Sequence, residues 1–253
     1  CQRGLQINRQ VLAGLTSARF TPWGISPTVV LCVLNGEESP EVVNRTFIVM
    51  IPKVLNPTTL SQFRPISLCN VIFKIISKVH ANRLKRILLE IISHEQSAFV
   101  PGRLITDNII AAYECLHLMK RSRSKKNSHC ALKLDMMKAY DRVEWEYLQA
   151  VLEKLGFKHS WVMKIMACVS IVSFSVLVNG DITEEFKPSK GIRQGDPISP
   201  YLFLLAAEGL SCLLKSKSTN EDVKGVVIAP TAPSVNHLLF DDDCLHMFKA
   251  NLG

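Results

Sequence analysis

From Asn44 onward the chain alternates between short apolar runs with the spacing of strands and longer stretches with the spacing of helices. Residues 46–51, Thr-Phe-Ile-Val-Met-Ile closed by Pro52, predict a buried strand. Asn56-Pro57-Thr58-Thr59 predicts a polar turn, and Phe63-Arg64-Pro65-Ile66 follows it with no element assigned. Leu68, Val71, Ile72, Ile75, Ile76, Val79, Leu84, Ile87, Leu88, Ile91 and Ile92 recur at helical spacing, which predicts one long amphipathic helix, or two joined ones, over 68–92. Its other face carries Lys74, Lys78, Arg83, Lys85 and Arg86, a pattern equally suited to a solvated face and to a phosphate-facing stripe.

Pro101-Gly102 marks a loop, and a helix is expected over 106–120 with Thr106 or Asp107 as its cap. The run Arg121-Ser122-Arg123-Ser124-Lys125-Lys126 predicts an exposed basic loop. Residues 130–135 predict a short strand that ends in Asp135. Asp141 and Glu144 have the spacing of a capping box for a helix carrying Val143, Leu148, Val151, Leu152 and Leu155, stopped at Gly156. A second helix is expected over 160–169. Alternating residues 172–178, then Asn179-Gly180, then a return run over 182–186 predict a hairpin. A loop over 191–200 leads to an apolar helix over 201–214, with Ser199 as cap and Pro200 in its first turn. Runs over 235–240 and 244–248 predict two strands flanking Asp241-Asp242-Asp243. Residues 1–44, broken by Pro22, Pro27, Pro40 and several glycines, yield no assignable element. Helices and hairpins without a βαβ rhythm indicate an α+β fold.

Composition narrows this picture. Of 253 residues, 47% are hydrophobic and 21% charged, a balance that supports a packed core rather than disorder. The net charge of +8 suits a polyanionic partner such as nucleic acid, as well as an acidic surface or plain solubility. The eight cysteines form no Cys-x-x-Cys pair, which argues against structural zinc, and their dispersal argues against a disulfide scaffold. Buried free thiols are the expectation. The N-terminal residues lack a secretory signal's apolar core, and the longest apolar run is too short to span a bilayer. The chain reads as a fragment.

Three consecutive aspartates between two apolar strands call for an explanation, because carboxylates repel and aspartate is a poor strand residue. A polar turn is the plain one. Asp135 shifts the balance, since it too ends a short apolar strand and Asp141 is already assigned to a helix cap. If the two segments pair in one sheet, carboxylates converge at one end of it, where hard cations such as magnesium would neutralise them. Two such ions serve phosphoryl transfer by holding the attacking and leaving oxygens.

The residues that carry this chemistry also carry a resemblance. Residues 134–145, Leu-Asp-Met-Met-Lys-Ala-Tyr-Asp-Arg-Val-Glu-Trp, resemble motif A of non-LTR retrotransposon reverse transcriptases, particularly the plant-type long interspersed elements. Residues 191–203, Gly-Ile-Arg-Gln-Gly-Asp-Pro-Ile-Ser-Pro-Tyr-Leu-Phe, resemble their motif B, and 237–243, His-Leu-Leu-Phe-Asp-Asp-Asp, their motif C. Ile51-Pro52-Lys53 with Phe63-Arg64-Pro65-Ile66-Ser67-Leu68 resembles the fingers motif, and Gln96-Ser97-Ala98-Phe99-Val100-Pro101-Gly102-Arg103 the segment after it. These motifs stand in the family's order from about residue 44 onward, which makes the combined match specific.

The resemblance implies a right-hand polymerase made of fingers and palm, with an antiparallel palm sheet, packed helices and no thumb. It places the fingers at 45–130 and the palm at 131–253, with 157–190 contributing to the fingers and 1–44 a poorly patterned remnant. It implies an RNA-directed DNA polymerase with RNA template, DNA primer and dNTPs as partners, two Mg2+ ions (or Mn2+) as cofactors and no membrane. No obligate protein partner is inferable, and location is not legible. Asp135, Asp242 and Asp243 would be catalytic and metal-binding, with the Met136 carbonyl as a further ligand. Lys53 and Arg64 would grip the triphosphate, Tyr140 would press on the sugar, and Gln194 and Gly195 would line the nucleotide pocket. Pro101, Gly102 and Arg103 would lie near the template.

Two departures bear on activity. The small alanine of the family's motif C is Asp241 here, adding bulk and a third negative charge beside the nucleotide, so reduced polymerase activity is expected. The chain also ends before the family's later palm motifs and thumb. A catalytically dead remnant that only binds nucleic acid, and a group II intron maturase-type protein, are the alternatives; the wording of motifs A and C favours the retrotransposon.

Overall fold

The computed structural model describes residues 27–121, 129–220 and 223–249. The basic run after Arg121 and most of the weakly patterned N-terminal stretch therefore lie outside the described residues. Two compact units emerge. The first combines the described residues up to Ser77 with Lys164–Ser189 and Gln194–Asp196; the second combines Lys78–Met163, Lys190–Arg193 and the residues from Pro197.

In the first unit a four-stranded sheet runs in the order β2-β1-β4-β5, from β1 (Arg45–Pro52), β2 (Phe63–Cys69), β4 (Ser173–Val178) and β5 (Asp181–Ile182). β1 pairs antiparallel with β2 and parallel with β4. Residues 63–66, for which the sequence predicts no element, thus belong to a strand, β2. Pro65 hid it, yet proline is tolerated because β2 lies at the sheet edge, opposite Met50. The hairpin expected at Asn179-Gly180 forms, with φ of +52° and +98° at its two central residues as a type I′ turn requires. Its return strand is short, and Phe186 rejoins Phe174 only as an isolated bridge.

Helix α1 (Pro27–Asn35) stands where no element was assigned, and its Val33 joins Val43, Cys69, Ile72, Phe73, Ile76 and Cys168 in this unit's core. The Asn44 amide, itself buried, donates to the carbonyls of Cys168 and Ile171.

Of the one long helix or two joined ones expected over 68–92, the structure has two helices, preceded by the end of a strand. Leu68 and Cys69 belong to β2. Asn70 Oδ1 then accepts the Ile72 N–H at 2.8 Å and opens α2 (Val71–Lys85). A single turn, α3 (Leu88–Ile91), follows.

The second unit is built on a fully antiparallel sheet in the order β3-β9-β8, from β3 (His129–Asp135), β8 (His237–Phe240) and β9 (Asp243–Lys249). A separate two-stranded pair joins β6 (Val226–Val227) and β7 (Ser234–Val235). Helix α4 (Ile105–Arg121) packs Cys115, with Ala111, Ala112, Leu118 and Met119, against Val226, Leu238 and Met247. Thr106 and Asp107 lie inside α4 rather than capping it. Asp107 Oδ2 reaches back to the Leu104 N–H, the half of a capping box made by its third residue.

The box expected at Asp141 and Glu144 does not form. Tyr140–Arg142 is a 3-10 turn, and α5 (Trp145–Lys154) starts after Glu144 with no side-chain cap. Glu144 instead accepts Lys190 Nζ at 2.7 Å. Gly156, at φ +85°, ends α5 as expected. Helix α6 (His159–Ser170) follows.

Helix α7 (Ser199–Thr219) is longer than expected, and Ser199 and Pro200 are its first two residues, so Ser199 is not the cap. From Tyr201 to Glu208 every residue of α7 is buried. Tyr147 on α5 donates its hydroxyl to the Ala206 carbonyl at 2.9 Å, a contact that needs Gly209, because a Cβ there would lie 2.1 Å from the Tyr147 hydroxyl oxygen.

Among the described cysteines, Cys69, Cys115, Cys168 and Cys244 are buried free thiols, whereas Cys212 is exposed. No described helix is long and apolar enough to cross a membrane.

Candidate active site

Asp135 is the last residue of β3 and Asp243 the first of β9, and the register sets them directly opposite each other. Side chains directly opposite across an antiparallel pair share a face with Cβ atoms roughly 5 Å apart, so these two carboxylates converge. Pairing extends one step further, with the Met136 N–H donating to the Asp242 carbonyl at 3.4 Å. Asp242 and Asp241 form the two-residue link between β8 and β9, closed by the Phe240–Asp243 pair. Asp241 alone of the two has positive φ, +53°, the φ pattern of a II′ hairpin. Aspartate is among the few non-glycine residues that tolerate this conformation.

Lys133, two residues before Asp135 and so on the same face, places Nζ 3.1 Å from Asp243 Oδ1. The hydrogen bond and charge of Asp243 push the Lys133 ammonium above its ordinary range, with Asp135 adding to the effect.

Behind the hairpin, Tyr140 stacks on Phe203 of α7 with ring centroids 5.0 Å apart and donates its hydroxyl to Asp241 Oδ1 at 3.3 Å. Burial, joined by the Asp241 charge, raises the Tyr140 phenol well above its usual range. Burial, then the charges of Asp242 and Asp243, push the Asp241 carboxyl up to about 6, against the opposing effect of the Tyr140 hydrogen bond.

Tyr140 is held in turn by the start of the 191–203 segment. The Ile192 N–H donates to the Tyr140 carbonyl at 2.9 Å and the Gly191 N–H to the Val143 carbonyl at 2.8 Å. Gly191, at φ +94°, would bring a Cβ within 3.0 Å of the Asp141 carbonyl oxygen, so this contact between the two segments requires glycine.

Of the other expected site residues, Lys53, Arg64, Gln194 and Gly195 belong to the first unit and Pro101, Gly102 and Arg103 to the second. Lys53 and Arg64 are both exposed at one end of the β1–β2 pair, where Arg64 faces Ile51 and Lys53 Nζ donates to the Ser61 carbonyl at 3.2 Å. The Gln194 carbonyl accepts the Ser67 N–H at 2.8 Å, and a Cβ on Gly195 would lie 3.1 Å from Ser67 O. The close approach that Gly195 permits is thus to β2 of the chain itself. Pro101 and Gly102 are exposed. Arg103 is turned inward: Nη1 donates to the carbonyls of Ser93 (2.5 Å) and Gln96 (2.7 Å), and Nη2 to Ile92 (2.8 Å). A side chain expected near the template therefore fastens its own loop.

Residues that the sequence reading did not assign complete the surroundings. Gln96 and Asn108 bond to the backbone around the hairpin, and His237 on β8 is fully buried. His237 Nε2 meets Ser211 Oγ at 2.7 Å, and its Nδ1 meets the Asn236 side chain. Burial holds the ring down at about 4, with the Glu95 charge opposing. A depressed histidine stabilises the fold above the unfolded value near 6.5 and loses that contribution as pH falls from there toward 4. The shift to about 4 corresponds to about 3 kcal/mol. Thermal melts from pH 7.5 to 4.5 should show the midpoint falling through this window, with a shallower fall in His237→Gln. Parallel curves for the two proteins would refute the assignment.

Among the described residues no group of three or more His, Cys, Asp and Glu side chains is set to hold a metal ion. Magnesium does not need one, since it takes one or two carboxylates and completes its shell with water and phosphate. The donor set of Asp135 and Asp243 on one face, with Asp242 in the adjoining turn, fits that requirement.

The sequence model of the reverse transcriptase (RNA-dependent DNA polymerase) family matches residues 51–251. A Xenopus laevis protein, the transposon TX1 uncharacterized 149 kDa protein, is 34% identical over 72% of this chain and 14% of its own length. The retrovirus-related Pol polyprotein of the type-2 retrotransposable element R2DM of Drosophila melanogaster is 28% identical over 79% of this chain and 18% of its own. The chain thus spans less than a fifth of these relatives. Among solved structures, apo telomerase of Candida tropicalis, truncated from its C-terminal domain, superposes with a TM-score of 0.55 at 13% identity, over 83% of this chain and 44% of that one. That likeness is one of fold, in keeping with the mixed sheets and packed helices described above. The motif order, the fold and a family match across most of its length together show that this chain belongs to the reverse transcriptase (RNA-dependent DNA polymerase) family.

Proposed function

We propose that this chain carries the nucleotidyl-transfer site of an RNA-directed DNA polymerase. The observation that supports it most is the register that sets Asp135 against Asp243, with Asp242 in the adjoining turn. In this reading Asp135, Asp242 and Asp243 hold two Mg2+ ions, which Mn2+ can replace, with the Met136 carbonyl as a further ligand. When bound, such ions lower the barrier to attack of a primer 3′-hydroxyl on a dNTP and to departure of pyrophosphate.

The chain's own residues supply the rest. Lys53 and Arg64, exposed together at one end of β1–β2, suit a triphosphate as point charge and fork. Tyr140, clamped against Phe203, presents a fixed ring to the sugar. Gln194 and Gly195 are assigned to the nucleotide pocket, and the Pro101–Arg103 loop to the template side with Arg103 as its internal brace. The fingers comprise 45–130 with 157–190, and the palm 131–253. RNA template, DNA primer and dNTPs are the partners.

A labelled DNA primer on an RNA template tests this. Slow extension that requires Mg2+ or Mn2+ and stops with chelator is the expected outcome. Binding of template-primer that weakens steeply with salt, ignores divalent ions and gives no extension over hours would instead identify a nucleic-acid-binding remnant.

A further inference from the structure

Gln96 is buried to 1% exposure, and the reading above gives it no role. Its side chain meets the hairpin on both sides of one residue. Gln96 Oε1 accepts the Asp241 N–H at 3.2 Å, and Gln96 Nε2 donates to the Asp241 carbonyl at 3.4 Å. Oε1 also accepts the Ala98 N–H at 3.0 Å, which fixes the orientation of the amide. The residue so gripped is the one turn residue in the left-handed region, where a non-glycine backbone needs external support.

Gln96 is itself anchored. Its backbone forms a parallel bridge with Leu239, flanked by the Leu239 N–H to Glu95 carbonyl bond at 2.8 Å and the Ser97 N–H to Leu239 carbonyl bond at 3.2 Å. Asn108 Nδ2 donates to the Leu239 carbonyl at 2.8 Å and to the Glu95 carbonyl at 3.3 Å. Arg103 holds the Gln96 carbonyl from the other side. The chain of contacts therefore runs from a half-buried guanidinium through Gln96 to the backbone of Asp241, one residue before Asp242.

We propose that Gln96 is a positioning residue for the carboxylate hairpin: it holds the Asp241 peptide in its left-handed conformation and so sets where Asp242 points. This rests on the nucleotidyl-transfer reading for its consequence in catalysis, but not for its consequence in structure. Two hydrogen bonds to a single residue's backbone hold the turn, and a side chain of the same length without the amide leaves that half-buried N–H and C=O without these partners.

The test compares wild type with Gln96→Met, which keeps the volume and removes both bonds to Asp241 together with the one from Ala98, and Gln96→Glu, which keeps the acceptor for the Asp241 and Ala98 N–H groups. Amide hydrogen exchange over the peptide spanning 238–244 should quicken about tenfold in Gln96→Met and less in Gln96→Glu, with exchange in α7 unchanged. Mn2+ binding, followed by electron paramagnetic resonance, should weaken several-fold in Gln96→Met. In primer extension kcat should fall about tenfold while the dNTP KM stays within twofold. Unchanged exchange at the hairpin, or faster exchange spread evenly through the second unit with a matching loss of thermal stability, would overturn the proposal. If wild type binds Mn2+ but extends no primer, the polymerase reading fails, and exchange with Mn2+ affinity still decides the role of Gln96.

Discussion

Replacing Asp241 with asparagine will raise the rate of primer extension between about ten- and a hundredfold. Asparagine keeps the shape, tolerates the φ of +53° and still accepts the Tyr140 hydroxyl, so the variant differs from wild type chiefly by one charge. That charge stands beside Asp242 and Asp243, where an incoming triphosphate would add more of the same sign. Two like charges about 4 Å apart repel by about 4 kcal/mol at an effective dielectric of 20, and bound ions offset part of this. Each 1.4 kcal/mol that reaches the barrier is a factor of about ten, so recovering a third to two thirds of the repulsion accounts for the expected range. Asp241→Ala removes bulk as well as charge, and a larger gain there than in Asp241→Asn would assign the remainder to size. Neither variant exceeding wild type in single-turnover extension would refute the charge argument.

The opposite outcome is expected at the neighbouring position. Asp242→Ala should lower extension by more than a thousandfold, because removing a ligand from a two-ion site costs several kcal/mol of charge stabilisation. Asp135→Ala should behave alike, and the double variant should be little worse than either single one, since residues acting as a unit lose activity together. Template-primer affinity should stay within a few-fold of wild type in all three. A loss at Asp242 below about tenfold, measured at saturating dNTP and Mg2+, would remove that residue from the chemistry.

Much of this site was legible in the chain before its fold. Asp135 at the end of one apolar run and Asp241-Asp242-Asp243 between two others already implied a meeting of strand ends, and the observed register supplies it. The spacing of Asp141 and Glu144 predicts a helix cap, but Asp141 caps no helix, because residues 140–142 form a separate 3-10 turn and α5 begins only at Trp145. Spacing alone does not distinguish a cap from a turn that precedes the helix by a few residues.

Residues 63–69 show another limit. A proline at an edge position obeys the same sheet rules as its neighbours, but the sequence carries no mark of which strand lies at the edge. Arg103 shows a third: the spacing of its motif carries no mark that its guanidinium donates to three carbonyls of the preceding segment. Gln96 had no visible signal at all, since a single glutamine in a loop motif acquires meaning only from a hairpin some 145 residues away.

Lys133 gives the site one more property. Its ammonium already leans on Asp243 and feels Asp135, so the acidic pair is not left to its own repulsion when no divalent ion is near. Such an arrangement acts as an internal counterion. On the nucleotidyl-transfer reading, an ion held by Asp243 would take the place of that ammonium, exchanging one positive charge for another.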